Sequence, residues 1–170
     1  WTALHGMGAK AEPELKKLWS DANPRFRARA LHLLTRIPGR TQSWVDAALV
    51  DKDSDLRITA LRIARAEGLD IIATVKRLVN DPEPQVRREC AIALRHHKSA
   101  EVPTLWAQLA AQHDGKDRWY TEALGIGADR NWDACLDAYL SAKGGVWNTT
   151  SGREIIWRSR AKKTPSLLVL

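Results

Sequence analysis

Apolar residues recur at every third or fourth position along most of the chain, the spacing that puts them on one face of an α-helix. Three of these stretches follow short polar turns, and each presents one apolar face. The three faces comprise Phe26, Ala30, Leu33, Leu34 and Ile37; Leu56, Ala60, Ile63 and Ala64; and Val86, Cys90, Ala93 and Leu94. We expect these faces to be buried, so the pattern predicts an all-α protein.

Shorter helical patterns lie between these stretches. They cover residues 12–19, 41–50, 71–80, 102–112 and 132–141. Each unit of the pattern is therefore a first helix, a tight turn and a second helix. Small residues within successive second helices would let neighbouring helices approach closely; they are Ala30, Ala60, Cys90 and Ala123.

The tight turns repeat in sequence. Asp stands six residues before Arg, with a large apolar residue directly before the Arg, at Asp21 and Arg27, Asp51 and Arg57, and Asp81 and Arg87. The period is 30 residues twice, and a looser fourth copy from Asp114 follows after 33 residues with Tyr120 in place of the Arg. One helix pair cannot bury its apolar stripe alone, so consecutive pairs must stack. The repeat predicts an α-solenoid, a right-handed superhelix of about five helix pairs that forms a single array over residues 1–170.

The acidic cluster in the second turn has two readings. Asp51, Asp53 and Asp55 alternate like the first ligands of a calcium-binding loop. Such a loop needs Gly at its sixth position and Glu at its twelfth, where this chain has Leu56 and Arg62. Because Asp also accepts the free N–H groups at a helix start, the sequence favours helix capping.

The Asp-x5-Arg turn with its preceding apolar residue resembles the HEAT repeat family. In that family the second helices line a concave surface, and the Asp and Arg side chains form a ladder between successive turns. The resemblance does not extend to Tyr120, so we expect the ladder to break at the fourth repeat. It implies a structural ladder of Asp21, Arg27, Asp51, Arg57, Asp81 and Arg87.

A narrower resemblance covers most of the chain and is strongest from residue 102 onward. It rests on the segments DRWYTEALGIG at 117–127, WDACL at 132–136 and IWRSR at 156–160. These resemble the central helical region of very large exported bacterial proteins, the membrane-bound dehydrogenases or PVC-type haem-binding proteins. Such proteins join a β-propeller, a helical array and a c-type cytochrome module. The resemblance implies an exported parent, periplasmic or in the cell envelope, that acts as an oxidoreductase.

The sequence holds neither the propeller nor the Cys-x-x-Cys-His motif of that family. We therefore expect no haem in this chain, and the resemblance implies haem c elsewhere in the parent. Because the chain begins with Trp1 and not Met, we expect the natural protein to extend past both ends. The expected partners are other domains of the parent or another protein.

Charge and cysteine content narrow the partners further. The 170 residues include 27 Lys and Arg against 20 Asp and Glu, a formal charge of +7. This excess fits nucleic acid, anionic lipid or an acidic protein, or is an imbalance offset elsewhere in the parent. No apolar run has the length of a membrane span. Cys90 and Cys135 fall on apolar helix faces without Cys-x-x-Cys spacing, so we expect two buried thiols rather than a disulfide.

The histidines give little sign of a metal site. His96 and His97 end a helical pattern, where positive charge complements the helix C-terminus. No His precedes a Glu, as it does in the His-Glu pattern of di-iron HEAT enzymes. We therefore expect no metal, no cofactor and no catalytic residue in this chain. The five histidines are His5, His32, His96, His97 and His113.

The second helices also have a basic face opposite the apolar one. Asp55 is its only acid, and we expect its two Ile side chains to be exposed. Arg beside apolar groups is typical of docking surfaces, whereas a solvated face usually mixes Lys and Glu. The predicted partner-binding face comprises Arg25, His32, Ile58, Arg62, Arg65, Arg88, Ile92, Arg95 and Arg118, with a merely solvated basic face as the alternative.

Two functions fit these features. The first is a non-catalytic scaffold that mediates protein or interdomain interactions. The second is a nucleic-acid-binding domain, because some HEAT-like glycosylases grip DNA with a basic concave face. A glycosylase needs a catalytic acid and aromatic groups facing the groove, whereas this face offers Asp55 and no aromatic residue. The sequence therefore favours the scaffold.

Overall fold

The computed structural model describes residues 6–168, and this part of the chain is all-helical. Within it, a 3₁₀ turn over Gly8–Ala11 precedes eleven α-helices. In chain order these are α1 (Glu12–Trp19), α2 (Pro24–Leu34), α3 (Thr41–Leu49), α4 (Ser54–Ala66), α5 (Ile71–Leu78), α6 (Pro84–Ala93), α7 (Val102–Ala111), α8 (Arg118–Gly127), α9 (Trp132–Ala142), α10 (Thr150–Arg158) and α11 (Thr164–Leu168). The prediction of an all-α protein is confirmed.

First and second helices alternate along the chain as the apolar pattern predicts. The first helices are α1, α3, α5, α7 and α9, and each begins at the expected residue and ends within two residues of the expected position. The second helices are α2, α4, α6, α8 and α10. Local periodicity was therefore sufficient to place them.

Contacts between Cα atoms divide the chain into two compact units, and the first ends at Ile71. Within it α2 packs against α1, α3 and α4, and α3 packs against α4. Trp19 and Trp44 meet edge to face, with 5.9 Å between ring centroids. The predicted apolar faces of α2 and α4 are buried here, with one exception. Phe26 is 39% exposed, and the guanidinium of Arg29 lies over its ring instead of a core side chain.

The second unit begins at Ile72. Second helices pack on second helices, α6 on α8 and α8 on α10, while α7 packs on α9 in a separate layer of first helices. Helix α7 also packs against α6 and α8, and so joins the two layers. At the centre, the buried indole of Trp106 donates to the Leu124 carbonyl at 2.8 Å and meets Trp132 edge to face at 5.7 Å. Whether the two units form one continuous array stays a prediction.

Short polar side chains start the second helices. Asn23 accepts from the Arg25 N–H at 3.0 Å, and Asp53 accepts from the Asp55 N–H at 2.9 Å. Asp117 does the same for Trp119 at 2.9 Å. Each satisfies a backbone donor that the helix itself leaves without a partner. The acidic cluster of the second turn therefore does include a helix cap.

The fourth tight turn is one residue longer than the others. The helix cap follows the turn Asp by two residues in the first three turns, but Asp117 follows Asp114 by three. Gly115 takes up the extra residue with a φ of 76°, a left-handed conformation that suits glycine. Consequently the second helices start 30, 30 and 34 residues apart, and not 33 at the last step.

This insertion changes which residues are equivalent. Tyr120 is the third residue of α8 and so occupies the core position that Val86 holds in α6. Trp119 takes the outward position of Gln85. The sequence alignment, which matched Trp119 with Val86 and Tyr120 with Arg87, is wrong by one residue.

Candidate interaction surface

The Asp and Arg side chains of the first two turns pair with each other. The Arg27 guanidinium forms an ion pair with the Asp51 carboxylate, and both side chains are largely buried. Arg27 also donates from Nε to the Trp19 carbonyl at 3.0 Å and lies 5.0 Å from the Trp19 ring centroid. Asp21, in the first turn, accepts from the Asn23 N–H at 2.7 Å. The Arg of one turn thus reaches the Asp of the following turn.

Arg57 and Arg87 make equivalent contacts within their own turns. Arg57 donates from Nη1 to the Asp51 carbonyl at 2.8 Å, and Arg87 donates from Nη1 to the Asp81 carbonyl at 2.6 Å. Each also reaches the carbonyl of the next residue, at 3.2 Å in the first case and 3.0 Å in the second. The Asp81 carboxylate accepts from the Glu83 N–H at 2.9 Å. These bonds hold the turn carbonyls that no helix satisfies.

At the fourth turn the ladder chemistry changes. The Arg87 side chain meets Tyr120, with Nε 3.4 Å from the phenolic oxygen. The Tyr120 hydroxyl in turn donates to the Leu109 carbonyl at 2.9 Å. The position equivalent to Arg87 in α8 is Thr121, because of the one-residue insertion.

Thr121 belongs to a buried polar cluster that the sequence did not reveal. His113 Nε2 lies 2.7 Å from a Glu154 carboxylate oxygen and 3.0 Å from the Thr121 hydroxyl. The imidazole stacks on Tyr120 with 5.5 Å between ring centroids. Its Nδ1 is buried and makes no hydrogen bond to any described residue. The only sequence sign of this cluster was the Tyr that replaces the ladder Arg.

The cluster does not have the geometry of a catalytic triad. In a triad the hydroxyl and the carboxylate bind opposite nitrogens of the imidazole, so that a proton can move from one side to the other. Here the Thr121 hydroxyl and Glu154 carboxylate both approach Nε2 of His113. The Thr121 hydroxyl also donates to Glu154 at 3.3 Å. The arrangement links α10 to α8 and to the turn before α8.

In the first unit, the predicted partner-binding face is largely exposed. Arg25, His32, Arg62 and Arg65 are exposed, and His32 and Arg62 line one small cavity of about 230 Å³. Partial burial and then the charge of Arg36 lower the pKa of His32, so this imidazole is neutral at pH 7. Ile58 was expected to be exposed, but it is buried with 9% of its surface accessible.

In the second unit, the predicted face is largely neutralised. Arg88 pairs with Asp117 at 3.3 Å, and Arg95 pairs with Asp129 at 3.0 Å. The expectation that Asp55 would be the only acid near these arginines is therefore wrong. Ile92 is half-buried rather than exposed.

Arg118 is exposed and forms no ion pair with a described residue, but it does not fall in the expected row. It is the first residue of α8 and so matches Pro84, the first residue of α6, rather than Gln85. The sequence-derived face is thus not one continuous row of equivalent positions.

Two exposed tryptophans mark a different surface on α8 and α10. Trp119 is 71% exposed and Trp157 is 68% exposed. Trp119 shares a helix face with the half-exposed Ile126, seven residues further along. We call Trp119, Ile126, Trp157, Arg118 and Arg153 the tryptophan surface. The sequence analysis missed it, because it assigned most tryptophans to apolar stripes or helix junctions.

The packing of α10 on α8 explains why Trp157 is exposed. Gly125 and Trp157 are each the eighth residue of their helix, so they hold equivalent places. Gly125 lies under the guanidinium of Arg158, which donates from Nε to Glu122 at 2.9 Å. Trp157 therefore lies on the side of α10 that corresponds to the α10-facing side of α8. Within the described residues this side of α10 is uncovered.

The residues present do not fit a covalently attached haem. Cys90 and Cys135 are free, fully buried thiols, and burial raises the pKa of both. Across residues 6–168, no group of three or more His, Cys, Asp or Glu side chains is placed to hold a metal ion, and His5 lies outside this range. No helix in the same range is both long and apolar enough to cross a bilayer.

Comparison with known proteins adds no relative: no protein-family model, no curated protein and no solved structure matches this chain.

Proposed function

We propose that this chain is a non-catalytic helical-repeat scaffold, a HEAT-like right-handed solenoid, that binds an acidic protein helix on its second-helix layer. The exposure of Trp119 and Trp157 on two packed second helices carries the proposal. The alternation of first and second helices and their layered packing support the solenoid.

Two tryptophans with about 70% of their surface accessible are costly to leave in water. Trp and Arg are also the residues that contribute most often to the binding energy of protein interfaces, because each combines a large contact area with a polar group. Both occur in the tryptophan surface, where Arg118 precedes Trp119 and Arg153 lies one turn before Trp157. The composition supports docking of a protein rather than simple solvation.

Charge complementarity indicates an acidic partner. Arg118 forms no ion pair with a described residue, and Arg153 bonds only the neutral amide of Asn148, at 3.1 Å. Where α10 docks on α8, an Arg–carboxylate pair between Arg158 and Glu122 crosses the contact. A partner helix with carboxylates around an apolar stripe would repeat that pairing on the uncovered side of α10.

The resemblance places this scaffold in a larger exported parent of the dehydrogenase or haem-binding type. In that setting the acidic helix belongs to another domain of the parent or to a separate protein. Any oxidoreductase chemistry and haem c reside in other parts of the parent. The role of this chain is to hold its partners in position.

A peptide titration tests the proposal. The probe is a designed amphipathic helix with Glu residues beside a Leu stripe, and the matched control peptide carries Lys in place of Glu. Binding is followed by the fluorescence anisotropy of labelled peptide. The acidic helix should bind, and Trp119→Ala and Trp157→Ala should each weaken it about tenfold, as expected for interface hot spots. Val50→Ala removes an equally exposed apolar side chain from the first unit and should have no effect.

Two results would overturn the scaffold proposal. One is acidic-peptide binding that survives the double Trp119→Ala, Trp157→Ala variant. The other is no peptide binding together with tight binding of duplex DNA whose affinity falls steeply between two salt concentrations. The second result would establish the nucleic-acid-binding alternative.

A further inference from the structure

The turns that follow the second helices use left-handed backbone, but with different residues in the two units. In the first unit these positions are Gly39 and Gly68, with φ values of 75° and 69°. In the second unit they are His96 and Arg130, with φ values of 60° and 63°. A side chain is disfavoured in this conformation because its Cβ approaches the following carbonyl oxygen. The second unit therefore carries two strained cationic residues where the first unit has glycine.

The two strained turns border the same groove. It has a volume of about 630 Å³ and is lined by His96, His97 and Lys98 from one turn and by Arg130 and Asn131 from the other. This volume is within the range of small-molecule sites. Strain of this kind persists only where surrounding contacts enforce it, and it clusters at ligand sites.

The groove has an excess of positive charge. Its carboxylate, Asp129, is already bonded by Arg95 at 3.0 Å and by His96 at 2.7 Å. The hydrogen bonds from His96 and then from Arg95 lower the pKa of Asp129, so it is ionised at neutral pH and matched by these two groups. The remaining cationic groups, His97, Lys98 and Arg130, form no ion pair with any described residue. They repel one another unless an anion lies between them.

We propose that this groove binds a small phosphate monoester through Arg130, Lys98 and His97. A phosphate monoester carries nearly two negative charges and three acceptor oxygens, whereas a carboxylate carries one charge and two oxygens. Three separate donors of different shape suit the larger group. The start of α9 adds to the positive field, since its cap residue Asn131 makes no side-chain bond to the helix. This site shares no residue with the tryptophan surface and stands independently of the scaffold proposal.

The test is an NMR titration of the ¹⁵N-labelled full chain with inorganic phosphate and with glycerol phosphate, and with acetate at matched ionic strength as control. Both phosphates should shift the amides of residues 96–99 and 129–132, whereas acetate should not. Lys98→Gln should weaken binding about tenfold, because it removes a charge-assisted hydrogen bond. Arg65→Ala removes an exposed cation from the first unit and should leave binding unchanged.

Arg130→Gly separates a binding role from a folding role. Glycine accepts the left-handed backbone, so the variant should unfold at the same temperature as the parent chain or a higher one. At the same time its phosphate affinity should fall about tenfold. Unchanged phosphate affinity in this variant, a lower unfolding temperature, or equal binding of acetate would each overturn the assignment.

Discussion

The guanidinium of Arg87 lies over the ring of Tyr120, with 5.8 Å between the guanidinium carbon and the ring centroid. Tyr120 is thereby held between this cation and the stacked imidazole of His113. Its hydroxyl bonds the Leu109 carbonyl of α7. One side chain thus joins α6, α7 and the turn before α8 at the point where the Asp–Arg ladder ends.

Tyr120→Phe isolates the hydroxyl in this contact. The ring stacking is retained, but the 2.9 Å bond to Leu109 is lost in a buried setting. We expect the free energy of unfolding to fall by about 1–2 kcal/mol in urea denaturation. Trp119→Phe changes the exposed neighbour and should alter stability by less than about 0.5 kcal/mol. Equal effects of the two substitutions would contradict a structural role for the hydroxyl.

Arg57→Ala tests the bonds that hold the second tight turn. Arg57 is 8% exposed and donates to the Asp51 and Lys52 carbonyls, which would lose this partner. We expect a loss of about 1–3 kcal/mol in the free energy of unfolding. Arg65→Ala, at an exposed position of the same helix, is the control and should change stability by about 0.5 kcal/mol at most. If both variants unfold alike, the turn does not depend on Arg57.

Gly127→Ala and Gly125→Ala differ by two positions in one helix, yet we expect opposite severity. A Cβ at Gly127 would lie 2.2 Å from the Ala91 carbonyl oxygen of α6, a backbone atom that cannot move alone. This variant should lose about 3 kcal/mol or more, since α6 and α8 must separate.

At Gly125 the same Cβ would meet the end of the flexible Arg158 side chain. That side chain can turn away with the loss of a partly exposed ion pair, and alanine improves helix propensity by about 1 kcal/mol. The net change should therefore stay within about 1 kcal/mol. Thermal unfolding of both variants decides the matter, and similar destabilisation of the two would show that the contact at Ala91 can relax.

Alkaline pH should destabilise the fold through its buried thiols. Burial raises the pKa of Cys135 from its ordinary 9.0 to about 12, and burial also raises the pKa of Cys90. A raised pKa in the folded state means that this stabilising contribution is complete below about pH 9 and is lost as the pH rises toward 12. For one thiol the loss between pH 8 and pH 10 is about 1.4 kcal/mol.

Urea unfolding at both pH values measures this loss. Cys135→Ala should be less stable at pH 8 because of the cavity, but its further loss at pH 10 should be about 1.4 kcal/mol smaller than that of the parent chain. Neither thiol should react with a disulfide reagent in the native protein at pH 8, and both should react in urea. Identical pH dependence of the two proteins would rule out a linked thiol at position 135.

Much of the local structure followed from the sequence. The helical period placed the first helices to within two residues and placed most of the buried faces. It failed at Phe26, because periodicity states which face a residue shares but not whether another element covers that face. It also failed at Trp119, because a one-residue insertion beside Gly115 rotates α8 by a full helical position. Such an insertion is invisible to an alignment that rests on a single degenerate repeat.

The sequence by itself determined the all-α class, the alternation of helices and the chemistry of the tight turns, because these depend on residues within one or two helical turns of each other. The tertiary structure alone decided which charges remain unpaired. Arg88 and Arg95 meet carboxylates 29 and 34 positions away, and His113 meets one 41 positions away. These pairings arise from the stacking of helices, which sets distances that no local period contains. For the same reason the tryptophan surface and the cationic groove emerged only from the folded chain.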